Sequence, residues 1–131
     1  MADDWKNKAE KVEGLTRAIE ESLRPSSNSS NTLVDLVVDE ASKTAAYIVD
    51  VHYYQIGIGM FAQVYGYANG RQRTIGQGCY RDHEDPRRDN YRVQWTKINE
   101  LSVKDDLVEV KVSSPGGSRD SYKFYIRGEQ K

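Results

Sequence analysis

Trp5, Ala9, Val12, Leu15, Ile19 and Leu23 recur at steps of three and four through an otherwise charged stretch. That spacing lines one stripe of an α-helix and predicts an N-terminal amphipathic helix over residues 1–24. Lys6, Lys8, Glu10, Lys11, Glu13, Arg17, Glu20 and Glu21 form the solvated face, with Lys6/Glu10 and Arg17/Glu21 as opposite charges four apart. Gly14 is expected to weaken the helix by about 1 kcal/mol relative to alanine. Asp3 or Asp4 can cap its start, and Pro25 bars its continuation. Residues 25–31, Pro-Ser-Ser-Asn-Ser-Ser-Asn, carry no apolar side chain and read as a polar linker. The glycosylation-like triplet Asn28-Ser29-Ser30 is taken as a chance match.

Beyond the linker the period falls to two. Val34, Leu36 and Val38 alternate with Leu33, Asp35, Val37 and Asp39, and Ala41-Ser42-Lys43 makes a turn. Ala45, Tyr47, Val49, Val51 and Tyr53 then oppose Ala46, Ile48, Asp50, His52 and Tyr54. A run from Ile58 to Ala68 ends at Asn69-Gly70, a strong hairpin signal, and a further strand follows from about Arg73 to Arg81. Tyr91, Val93 and Trp95 mark another, Val108, Val110 and Val112 a later one, and Tyr122, Phe124 and Ile126 the last, after the turn Ser114-Pro115-Gly116-Gly117. Seven or eight short strands at hairpin spacing predict a mainly β fold over residues 32–131, an antiparallel β-sandwich or a closed β-barrel. The alternative is an α+β roll with the helix on the concave face of a curved sheet. Tyr65 and Tyr67 share a side with Phe61, while Met60, Ala62 and Val64 take the other. Both faces of that strand are therefore apolar, and each needs a cover.

Composition narrows the classes. The chain has 131 residues and a formal net charge of -1, with 19 basic against 20 acidic side chains. One domain is expected, and the balanced charge disfavours nucleic acid and membrane surfaces as partners. A single cysteine rules out an intrachain disulfide. No apolar run is long enough to span a bilayer and the first eight residues are too polar for a secretory signal, so a cytoplasmic location is expected. No cofactor and no metal are expected either.

Several clusters could carry chemistry. Gly57-Ile58-Gly59-Met60-Phe61-Ala62 fits a dinucleotide fingerprint, but its continuation, Gln63-Val64-Tyr65-Gly66-Tyr67, reads as a strand rather than the helix that would hold a pyrophosphate. The glycines at 57, 59, 66, 70, 76 and 78 point instead to bulges, coiling or close backbone approach. Cys79 and His83 would lie about 10–13 Å apart on extended chain, too far for a nucleophile and its base. His52, Tyr54 and Cys79 are the polar groups that a ligand pocket on a concave face would use, and Asp50 lies near His52. Asp82, Glu84, Asp85, Asp89 and Asn90 offer oxygen ligands, but their spacing follows no known cage, and Arg87 and Arg88 oppose a cation.

The richest stretch is Arg71 to Arg92, which holds six of the chain's ten arginines and no lysine. Arginine suits bidentate recognition of carboxylate or phosphate and stacking on aromatic rings. Arg71, Arg73, Tyr80, Arg81, Arg87, Arg88, Tyr91, Arg92 and Trp95 are therefore the candidate partner-binding residues. Trp5, Val12, Leu15 and Ile19 are the candidates for self-association, through a tethered helix docking on a neighbour as a homodimer or higher assembly. A non-enzymatic binding and assembly module with a protein partner is the leading expectation. A small-ligand binder or enzyme near His52, and single-stranded nucleic-acid or anion binding through Arg71–Arg92, are the alternatives.

Overall fold

The computed structural model describes residues 4–24, 29–53, 60–80, 94–95, 97–113 and 119–127. Two short helices, α1 (Asp4–Ala9) and α2 (Leu15–Ser22), precede the strands β1 (Ser29–Asp39), β2 (Thr44–Tyr53), β3 (Met60–Ala68), β4 (Arg71–Tyr80), β5 (Gln94–Trp95), β6 (Lys97–Lys104), β7 (Leu107–Ser113) and β8 (Arg119–Tyr125). One sheet has the order β1-β2-β3-β4-β5 and the other β6-β7-β8. The seven longer strands pair antiparallel, as the alternation predicts. Neither sheet closes into a barrel among the described residues. The arrangement is sandwich-like, with the helices as a third layer.

β2 shows why three layers form. Its odd positions, Ala45, Tyr47, Val49 and Val51, join Tyr67 and Leu36 in a buried cluster with Ala9, Val12, Leu15, Ala18 and Ile19 of the helical segment. Its even positions, Ala46 and Ile48, join Ala62, Val64 and Ala68 in a second cluster with Leu101, Val108, Val110, Val112 and Ile126. Both faces of the central strands are apolar, so one is covered by helices and the other by the second sheet. The close approach of the sheets requires small residues: a Cβ at Gly66 would lie 2.9 Å from Ile126 Cγ1, and one at Gly76 only 2.6 Å from Phe124 Cζ.

The structure corrects the single helix. α1 ends at Ala9, and after a turn Gly14, with a left-handed φ of 84°, is the N-cap from which α2 starts. The Tyr67 hydroxyl donates to the Glu13 carbonyl at 2.9 Å and occupies the place a side chain at 14 would need. The linker is shorter than expected as well. Ser29, Ser30 and Asn31 already pair with Tyr53, His52 and Val51.

Bulges cause the remaining local differences. Val34 is an extra residue between Leu33 and Asp35, so Leu33 rather than Val34 shares a face with Leu36 and Val38, and Val34 is left exposed. Asn99 is likewise extra in β6 and spaces Ile98, Leu101 and Val103 unevenly, which hides that strand from a period-two reading. The Asn69-Gly70 turn forms as predicted, with φ of 55° and 77° at its two central residues.

Candidate interaction surface

Trp5, Val12, Leu15 and Ile19 do not form a free face. Val12, Leu15 and Ile19 are buried and Trp5 is half-buried, all packed on this chain's own sheet. The stripe that suggested docking on a neighbour is satisfied within the molecule.

The arginine-rich stretch lies at the opposite edge of the larger sheet from β1. β4 pairs with β3 along its length, and on its other side β5 meets it only at Cys79 and Tyr80. That pairing is parallel, with Tyr80 opposite Trp95 and Cys79 opposite Gln94, where an antiparallel strand was expected. Tyr80 and Gln94, the residues flanking 81–93, therefore lie on neighbouring strands. Arg81, Arg87, Arg88, Tyr91 and Arg92, and the acidic residues among them, lie outside the described residues. Arg71 and Arg73 are exposed at the other end of β4, about 20–30 Å from Tyr80 along an extended strand.

A bulge decides which face these positions share. Val64 pairs with Gly76 but Tyr65 pairs with Thr74, so Ile75 is extra in β4. The shift assigns Arg71, Arg73, Gly76, Gly78 and the Tyr80 position to one face, toward the second sheet. Without it Arg73 and Tyr80 would fall on opposite faces. The candidate positions thus share the face on which Phe124 covers Gly76, with the two exposed arginines at one end and the Tyr80 position beside Trp95 at the other.

The proposed pocket residues are not brought together. Cys79 belongs to the row Val51–Phe61–Cys79 and His52 to the neighbouring row with Met60, so the pleat assigns the two positions to opposite faces. Tyr54 lies outside the described residues, as do the glycine fingerprint's first three residues and His83. Among the described residues no group of three or more His, Cys, Asp or Glu side chains is placed to hold a metal ion. No helix among them is long and apolar enough to cross a membrane.

A polar cluster that the sequence reading missed lies between α2 and the larger sheet. Tyr47, fully buried and stacked on Tyr65 at 5.0 Å, donates to Gln72 Oε1 and shares a 2.9 Å hydrogen bond with Ser22 Oγ. Ser22 also reaches Gln72 Oε1 at 2.6 Å and the Ala18 carbonyl at 3.1 Å. Asn31 Nδ2 donates to the carbonyls of Ser22 and Arg24, closing the end of α2. Burial raises the Tyr47 hydroxyl far above its ordinary range, against the opposing effect of Ser22, and burial raises Tyr65 and Tyr67 too. These hydroxyls stay protonated at neutral pH, so they act as hydrogen-bonding ties and not as nucleophiles. Ser22 itself carried a readable signal, since it falls on the stripe three residues after Ile19.

An open groove of about 860 Å³ runs between α1, the β1–β2 turn and the β6–β7 turn. Asp39 organises it by accepting a 2.7 Å hydrogen bond from the Asp105 amide, which holds its carboxyl below the ordinary value. Lys8 donates to the Leu36 carbonyl and Lys11 pairs with Glu40 at 3.6 Å. Those cations are engaged within the chain, and the groove reads as a seam between turns. Compared with known proteins, the chain matches no family profile, no curated protein and no solved structure.

Proposed function

We propose that this protein is a non-enzymatic binding module whose partner-facing surface is the β4–β5 edge. The observation that carries this reading is the parallel return of the chain at Gln94–Trp95 beside Cys79–Tyr80. It sets Tyr80 and Gln94, the residues flanking the arginine-rich segment 81–93, side by side at the edge that also presents exposed Arg71 and Arg73. Segments held at both ends by a scaffold are where recognition residues concentrate, and arginine with tyrosine and tryptophan is the composition of binding hot spots. The partner is a protein surface rich in carboxylates, because guanidinium groups pair with carboxylates in a bidentate manner. The formal net charge of -1 weighs against the polyanionic backbone of nucleic acid, whose binding is driven by an excess of basic residues.

Fluorescence anisotropy tests the reading with a labelled glutamate-rich peptide and a single-stranded oligonucleotide, both at low salt. The peptide is expected to bind, and the pair Arg71→Glu and Arg73→Glu to weaken binding tenfold or more without changing the melting temperature. Binding of the oligonucleotide alone, or peptide binding that ignores both substitutions, overturns the proposal.

A further inference from the structure

An edge strand presents a row of unpaired backbone groups, and proteins blunt such edges with bulges, charge or cover. Three edges here are blunted in one way. β1 carries an extra residue at Val34, β4 at Ile75 and β6 at Asn99, each where one residue of the neighbouring strand faces two. β8 differs. It runs from Arg119 to Tyr125 against β7 in unbroken register, and among the described residues a strand pairs with it on one side only. Arg119, Asp120, Ser121, Lys123 and Tyr125 along it are exposed.

We propose that β8 is a homodimerisation edge. Two copies pair antiparallel through β8 about a two-fold axis at Tyr122 and join their three-stranded sheets into one. The choice of a second copy as occupant follows from parity and charge. A two-fold axis normal to a sheet keeps each face on its own side, so opposed residues must share a face and the axis must pass through a residue pair. Centred on Ser121, the pairing sets Arg119 against Lys123. Centred on Asp120 or Lys123, it sets that charged residue against its own copy. Centred on Tyr122, all 7 residues of the strand pair and no like charges are opposed.

In that register Arg119 faces Tyr125 on the outer, solvated side, and symmetry makes this contact twice. Ser121 faces Lys123, Asp120 faces Phe124, and Tyr122 meets its copy. A guanidinium over an exposed phenol ring is a favourable cation–π contact, and Tyr125 is one of two large apolar side chains left exposed among the described residues, at 39%. This edge belongs to the smaller sheet and touches β4 where Phe124 packs on Gly76, but its pairing uses Arg119–Tyr125 and not Arg71, Arg73 or β5. Its failure would leave the peptide-binding reading standing, and the reverse holds as well.

Sedimentation equilibrium of the full chain over a concentration series tests the proposal, with circular dichroism and melting recorded for every variant. The wild-type chain is expected to dimerise. Tyr125→Arg opposes two arginines at each of two symmetric contacts and is expected to weaken the dimer roughly tenfold or more. Tyr125→Glu removes the same ring but sets a carboxylate against Arg119, and is expected to preserve or tighten association. Both substitutions are at an exposed position, so the fold is expected to survive each. A wild-type chain that stays monomeric throughout overturns the proposal, including one whose β8 edge instead takes up a synthetic extended peptide. So does a dimer that responds equally to Tyr125→Arg and Tyr125→Glu.

Discussion

The two faces of the larger sheet are covered by different physics. On the side of the second sheet the contact is dry and close: Ala46, Ile48, Ala62 and Val64 meet Val108, Val110, Val112 and Ile126, and Gly66 and Gly76 admit the side chains above them. On the helical side the contact is larger-grained and tied by polar groups. Tyr47, Tyr65 and Tyr67 stand between sheet and helices, and their hydroxyls fasten to Gln72, Ser22, Gln63 and the Glu13 carbonyl. A sheet can be matched by another sheet along its whole pleat, whereas two short helices leave carbonyls at their ends that need partners. The hydroxyl ties fix where the helices sit.

The dry side should therefore respond most strongly to lost volume. Ile48 is fully buried there, and Ile48→Ala is expected to cost about 2–5 kcal/mol because the rigid sheets cannot collapse on the gap. Urea unfolding followed by tryptophan fluorescence reads this directly. A cost below that of removing one hydroxyl on the helical side would reverse the ranking of the two faces.

The helical side is expected to fail through geometry rather than volume. Gly14→Ala forces a side chain into left-handed backbone and onto the Tyr67 hydroxyl, at about 1–3 kcal/mol. Tyr67→Phe removes the hydroxyl but leaves the backbone strain. The double variant should thus cost less than the sum of the two single ones, and strict additivity would show that the hydroxyl does not hold the break between the helices.

These features divide by how far each is set by neighbours in sequence. The two-sided character of β2 and β3 was readable because Tyr47 and Ile48 alternate without interruption, and so was the turn at Asn69-Gly70. The strand β6 was not, because Asn99 shifts the phase of Ile98 against Leu101 and Val103. Likewise the common face of Arg71, Arg73 and Tyr80 depends on the bulge at Ile75, which no local pattern announces. The helix stripe was read correctly as apolar, but its cover was not. That Leu15 and Ile19 meet this chain's own sheet depends on contacts far off in sequence, such as that of the Tyr67 hydroxyl with the Glu13 carbonyl, 54 residues apart.

The mildest test separates the faces by pH. Burial raises Tyr47, Tyr65 and Tyr67 above the ordinary value of 10.0, so above that pH the folded protein holds protons that the unfolded chain releases. Their contribution is fully present below pH 10 and is lost as the pH climbs from there through the folded values. For Tyr47 alone the loss approaches about 1.4 kcal/mol per pH unit while it stays protonated. Urea midpoints measured between pH 8 and pH 11 should therefore fall at the alkaline end. Tyr47→Phe should flatten that fall, although it lowers stability at pH 8 by about 1 kcal/mol for the lost hydrogen bonds. Because α2 rests on this hydroxyl, amide exchange in Leu15–Ser22 should quicken with pH before exchange in β7, beyond the uniform acceleration that base gives every amide. Equal quickening in both would mean that the tyrosines titrate with the whole fold, and that the helical layer has no weakness of its own.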